Sequence, residues 1–174
     1  MNNIQALKEK SMEVELRPVA YAEKPLLSNL YQFYHYDFSP YTEEDLNEDG
    51  RFEANIDYFW QGDPRWNPYF IMLSGKIAGF LVVLFENLDT DPDPTHVIYD
   101  LMVLPKFRRT GVGSAAAQKA FALFKANWAV AQMENNTAAI SFWRKAIGEF
   151  TNHSYRETYR KDIKKYIQRF STKS

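Results

Sequence analysis

The 174-residue chain contains no cysteine and only three histidines. Without a thiol it can form no disulfide, no thiolate metal site and no cysteine nucleophile. His35, His96 and His153 show no ligand spacing, such as two residues four apart on a helix, so no metal is expected. No apolar run approaches the ~20 residues that cross a bilayer, and no charged leader precedes an apolar stretch. These absences lead us to expect a soluble cytoplasmic protein with no membrane partner. There is also no internal repeat and no linker long enough to divide the chain. With 45% hydrophobic residues, residues 1–174 are read as one domain with its own core.

The net charge of −1 hides an asymmetry. Between Asp37 and Asp63 there are nine acidic residues against one basic residue, Arg51, whereas from Lys106 onward there are fourteen basic against four acidic. One part attracts cations and the other anions, unless both are ordinary solvated surface.

Hydrophobic spacing orders the elements. Residues 1–13 read as a polar lead-in and Val14 to Val19 as a first strand. Leu26 to Phe38 has helical spacing behind Pro25, a residue tolerated at a helix start. A second, acidic helix is expected after Thr42, with Glu44 and Asp45 in its first turn. "PYFIMLSGKIAGFLVVLF" reads as a hairpin turning at Ser74-Gly75-Lys76. His96 to Leu104 is a strand apolar enough to be central, and it stops at Pro105. A glycine loop follows, then a helix to about Asn127 and a strand from Trp128 to Met133. A helix from Asn136 to Ile147 and two antiparallel runs, Tyr155–Tyr159 and Lys165–Phe170, complete the chain. The fold class is therefore α/β or α+β, with a mixed sheet and a few helices.

"KFRRTGVGSAAA", Lys106 to Ala117, suits a phosphate: consecutive N–H groups and a helix N-terminus converge on one spot. Glycine there permits positive φ and lets a ligand approach the backbone. Gly111-Val112-Gly113-Ser114-Ala115-Ala116 matches the dinucleotide fingerprint G-x-G-x-x-G/A, with Glu134 at the expected distance. Against a nicotinamide enzyme, six residues separate Leu104 from Gly111, and too few residues follow for a second mononucleotide half. Arg108 to Gly113 fits R/Q-x-x-G-x-G/A as well, and the arginines offer charge-assisted bonds.

"LMVLPKFRRTGVG" resembles motif A of the GNAT superfamily of acyl-CoA-dependent N-acetyltransferases, and "NTAAISFWRK" is similar to that family's N-x-x-A-x-x-F/L-Y segment. The resemblance implies a central, mostly antiparallel sheet of about six to seven strands, about four helices and a splayed central strand, with residues 96–150 as the acetyl-CoA-binding core. It further implies acetyl transfer from acetyl-CoA, as co-substrate and without a metal, to a primary amine in a ternary complex. Leu101, Met102 and Val103 would meet the acetyl and pantetheine groups, and backbone donors of that strand the oxyanion. Arg108, Arg109, Thr110, Gly111, Val112, Gly113 and Ser114 would cradle the pyrophosphate. Asn136, with Ala139 and Trp143 on its helix, would reach the pantetheine, and Asn136 would serve equally as a plain N-cap. Many relatives have tyrosine where this chain has Trp143, and an indole N–H is no useful acid. Either the thiol, with a pKa of about 8.5, leaves unaided, or Tyr99 or Tyr155 replaces the missing acid, or the protein binds acyl-CoA without turnover.

An amine must lose a proton before it attacks. Asp100 is the first candidate base: strand alternation places it on one face with Ile98 and Met102, semi-buried, where its pKa tends upward. The alternative is a structural carboxylate. Glu134 is the second candidate and His96 the third. On the acceptor side, Tyr36, Asp37, Tyr58 and Trp60 are candidates for the wall of an acidic, aromatic pocket suited to a cationic small-molecule or peptide amine. Tyr31, Tyr34 and Phe38 are assigned to the core. The basic tail "YRKDIKKYIQRF" reads as a closing strand rather than a nucleic-acid surface, and a homodimer stays open.

Overall fold

The computed structural model describes residues 13–173, so all but the last residue of the lead-in lies outside the described residues. Five strands alternate with three helices: β1 (Val14–Pro18), α1 (Lys24–Phe38), β2 (Trp66–Leu73), β3 (Lys76–Phe85), β4 (Thr95–Val103), α2 (Val112–Leu123), β5 (Asn127–Met133) and α3 (Thr137–Thr151). β6 (Arg156–Arg160) and β7 (Lys165–Ser171) complete a single seven-stranded sheet in the order β1-β2-β3-β4-β5-β7-β6. Every neighbouring pair is antiparallel except β4 and β5.

Local chemistry explains most element boundaries. Pro25 lies at the start of α1, where a missing N–H costs nothing. Ser74 and Gly75 both take positive φ (49° and 74°), as a two-residue hairpin turn requires. α2 ends at Leu123 rather than near Asn127, because Phe124 is already extended. The final strand does not close the sheet edge. β7 inserts between β5 and β6, which buries Ile167, Gln168 and Phe170 and leaves Arg169 in water.

The acidic helix expected after Thr42 does not form, and the described residues hold three α-helices instead of about four. The Asn47 side chain accepts from the Asp49 and Arg51 N–H groups at 3.0 and 2.9 Å, and Gly50 takes a φ of 70°. Asparagine thus offers the backbone a turn in place of a helical ladder. The segment has little apolar surface to repay a helix, and its one large aliphatic residue near that turn, Leu46, is exposed.

Two cores sandwich the sheet. On one face α2 and α3 cover Leu81, Val83, Ile98 and Trp128 with Ala116, Ala117, Ala120 and Phe121 of α2 and Trp143 and Ile147 of α3. On the other, α1 packs Leu27, Leu30 and Tyr31 against Phe70, Phe80, Val82 and Met102. Ile98 and Met102 therefore lie on opposite faces, contrary to simple alternation. The cause is a bulge: Val82 pairs with Asp100 but Val83 pairs with Ile98, leaving Tyr99 over. Asp100 shares its face with Met102 and turns toward α1.

A second bulge leaves Ala78 over in β3, and next to it Gly79 meets β4 closely. A Cβ at Gly79 would stand 2.0 Å from the Met102 carbonyl oxygen. Gly79→Ala should therefore cost on the order of 3 kcal/mol or more by urea denaturation. Gly75→Ala, where a Cβ meets nothing within 4 Å, should cost only the ~1–2 kcal/mol of left-handed strain. Equal losses would show that the approach of β4 is not what requires Gly79.

Candidate functional site

β4 and β5 pair only at Thr95–Asn127, His96–Trp128 and Val97–Ala129. Beyond that point the two strands part, and the bulge at Tyr99 lies where they do so. On the β3 side the Leu104 N–H donates to the Ala78 carbonyl at 2.8 Å. Alternation from that bond turns the backbone polar groups of Leu101 and Val103 toward the opened side. A cleft of about 520 Å³ occupies this region, lined by β4 from Ile98 to Val103, by Tyr34 and Asp37 of α1, and by Asn136, Ala139 and Trp143 at the start of α3.

Asp100 is held on the cleft wall by two phenols. The Tyr31 hydroxyl donates to one carboxylate oxygen and the Tyr34 hydroxyl to the other, each at 2.6 Å. The donors are three residues apart on α1, so both reach the same strand position. Burial raises the Asp100 pKa above the ordinary aspartate value, and the two hydrogen bonds, which act the other way, do not cancel it. Both phenols are pushed up, first by burial and then by the Asp100 charge, and so remain protonated donors. No lysine or arginine among the described residues is hydrogen-bonded to this carboxylate.

The glycine loop takes the expected form. Pro105–Phe107 makes one 3-10 turn, Arg109 and Gly111 take positive φ (58° and 87°), and α2 starts at Val112. The first intrahelical bond runs from the Ala115 N–H to the Gly111 carbonyl at 2.9 Å, leaving the Val112, Gly113 and Ser114 N–H groups without an acceptor among the described residues. These three donors and the helix dipole suit an anion. Thr110 is turned inward, its hydroxyl donating to the Phe107 carbonyl at 2.5 Å. Gly113 faces Phe142, which a Cβ would approach to 3.3 Å. Arg108 donates through Nε to the Val103 carbonyl at 2.7 Å and pairs with Asp37 of α1. Asn136 caps α3, its Oδ1 accepting from the Ala139 N–H at 3.0 Å. Trp143 packs into the core beside Phe121 and Phe142, with one edge on the cleft.

Other expected site residues lie elsewhere. Glu134 does not line the cleft, and its carboxylate accepts from the Tyr159 hydroxyl on β6. His96 is a core histidine packed at a tilt against Phe85, with its ring nitrogen at 3.0 Å from the Pro94 carbonyl oxygen. Of the acceptor-side candidates, Asp37 lines the cleft, while Tyr58 stands behind it, packed on Trp66, which in turn meets Tyr99. Trp60 lines a separate cavity of about 730 Å³ with Tyr21 and Lys24. Tyr36 points into water, 71% exposed. Tyr99 lines the cleft, whereas Tyr155 is half-buried against the core by Gly148. Tyr31 and Tyr34 went unrecognised as site residues. Their one signal was phenols, rather than phenylalanines, at i and i+3 on an apolar helix face.

Residues 27–148 match the family described as the Acetyltransferase (GNAT) family. No curated protein matches the sequence. Among solved structures, an acetyltransferase from Thermus thermophilus aligns with a TM-score of 0.67 at 15% identity, covering 93% of this chain and 99% of its own. The ribosomal-protein-S18-alanine N-acetyltransferase of Escherichia coli aligns at 0.59 and 13% identity, covering 92% and 95%. A putative streptothricin acetyltransferase from Bacillus anthracis str. Ames, in complex with acetyl coenzyme A, aligns at 0.50 and 15% identity, covering 92% and 98%. At these identities the likeness concerns the fold.

A carboxyl whose pKa is higher folded than unfolded holds more protons when folded over the interval between the two values. Its contribution to stability falls as pH rises through that interval, which for Asp100 opens near the ordinary value of ~3.9. The unfolding free energy of Asp100→Asn should therefore improve relative to the parent as pH rises from about 4 to about 7. A difference that stays constant across that range would show that burying this carboxylate costs nothing.

Proposed function

The chain belongs to the GNAT family of acetyltransferases, and from that premise we propose that it moves an acetyl group from acetyl-CoA to a primary amine, both being bound at once. The observation that carries the proposal is the Asp100 carboxylate. It is part-buried with no lysine or arginine bonded to it among the described residues and stands where β4 leaves β5, on the wall of a cleft that also reaches Arg108 at the start of the glycine loop. The absence of cysteine supports direct transfer, since no thiol can hold the acetyl group between two half-reactions.

Acetyl-CoA, when bound, supplies the acetyl thioester. The Val112, Gly113 and Ser114 N–H groups, with Arg108 and Arg109, would hold its phosphates. The unpaired backbone groups of Leu101 and Val103 would align its arm and meet the negative charge developing on the carbonyl oxygen. Asn136, Ala139 and Trp143 would line the opposite wall. The raised pKa of Asp100 suits it to take the proton from the acceptor's ammonium, directly or through water. Tyr31 and Tyr34 keep that carboxylate oriented. Trp143 cannot protonate the departing thiolate, and of the two phenols considered for that role Tyr99 is the one on the cleft.

The acceptor is read as a cationic amine, because the acidic groups on the cleft are Asp37 and Asp100. Apart from Asp37, the acids of the 37–63 segment do not converge there as expected. Glu44, Asp57 and Asp63 pair instead with His35, Lys24 and Arg65. The nicotinamide alternative fits poorly, since a dinucleotide fold needs a mostly parallel sheet and this one has a single parallel pair.

Acetyl-CoA at a hundred times its Kd should stabilise the protein by about 2.7 kcal/mol, raising the thermal unfolding midpoint, whereas NADH should not. With an amine that supports thiol release, Asp100→Asn should keep coenzyme binding and lose about a hundredfold or more in kcat. No shift with acetyl-CoA, or one with NADH alone, would end the acetyltransferase assignment. Coenzyme binding without thiol release from any amine would leave a binding module, and full turnover by Asp100→Asn would remove Asp100 as the base.

A further inference from the structure

Arg108 and Asp37 come from distant parts of the chain, yet their side chains form an ion pair, and both line the cleft. The guanidinium is held at a second point, since its Nε donates to the Val103 carbonyl at the end of β4. Asp37 is the next-to-last residue of α1, where the negative end of the helix dipole disfavours a carboxylate and a cation relieves it. The side chains are 42% and 34% exposed, so the pair is open to exchange with ligands. Arg108 begins the glycine loop, and Asp37 faces the same cleft from the acceptor side.

We propose that Asp37 is a positioning residue for the coenzyme site and couples it to the acceptor. In the empty protein its carboxylate holds Arg108. The coenzyme's phosphates take the guanidinium, and the released carboxylate then anchors the positive charge of the acceptor. This rests on the acetyl-CoA reading of the glycine loop and adds to it a coupling between the two ligands. The coenzyme must break the Arg108–Asp37 pair, and a cationic acceptor arriving second need not. Each ligand therefore favours the other by the same factor. For a half-exposed pair that factor is up to about fivefold.

The test is calorimetric titration of coenzyme A into four proteins: the parent, Asp37→Asn, Arg108→Gln and the double variant. Asp37→Asn should bind coenzyme A about two- to fivefold more tightly than the parent, since no pair has to be broken. Arg108→Gln should bind about tenfold more weakly. In the Arg108→Gln background, Asp37→Asn should have no effect. Unchanged or weaker binding by Asp37→Asn alone would overturn the proposal. So would equal tightening in both backgrounds, which would mark simple repulsion between Asp37 and the phosphates. If coenzyme A binds none of the four, the acetyl-CoA reading fails and this inference falls with it. Binding without the interaction between the two positions overturns the role of Asp37 alone.

Discussion

Beyond Val97 and Ala129, β4 and β5 no longer share hydrogen bonds, and a sheet cannot leave such a gap without consequence. Backbone N–H and C=O groups are obligatory hydrogen-bonding groups, so those of β4 on the opened side must meet water, a side chain or a ligand. The Val103 carbonyl is met by Arg108, and the groups of Leu101 and Val103 that stay open face the cleft. The bulge at Tyr99 accompanies the parting and moves Asp100 onto the α1 face. The opened strand pair and the carboxylate on its cleft thus meet at one irregularity in β4.

The two acidic groups of the cleft are kept in different states. Asp100 is deep enough for burial to govern its proton, and its partners are neutral phenols, which orient a carboxylate without cancelling its charge. Asp37 lies nearer the surface and is neutralised by a guanidinium. In the proposed reaction the first handles a proton and the second a standing positive charge. Trp143 adds an apolar edge to the cleft wall, so in the proposed reaction proton handling falls to the β4 side.

Much of this could be read along the chain. The glycine loop, its arginines, the Asn136 cap and the order of strands around them are local patterns, and local patterns are what periodicity and motif spacing report. The departures have separate causes. The acidic helix failed because the Asn47 side chain captures the backbone. Ile98 and Met102 parted because a bulge shifts side-chain alternation by one residue. Tyr31 and Tyr34 do pack in the α1-side core, as their spacing on an apolar helix face indicates, but that spacing does not show that their hydroxyls also hold Asp100. Only the position of Asp100, on the sheet face that α1 covers, shows why they are phenols.

The sequence by itself determined the mixed α/β class, the glycine loop that leads into α2, the exclusion of thiol chemistry and the family to which the chain belongs. Each follows from residue type and short-range spacing, which survive in any arrangement of the chain. The tertiary structure alone decided that Asp100 and not Glu134 stands on the cleft, that α1 supplies its donors, and that Arg108 and Asp37 neutralise each other. Those outcomes depend on contacts between residues 66 to 71 positions apart, and such pairings exist only once the sheet has set α1 against the end of β4.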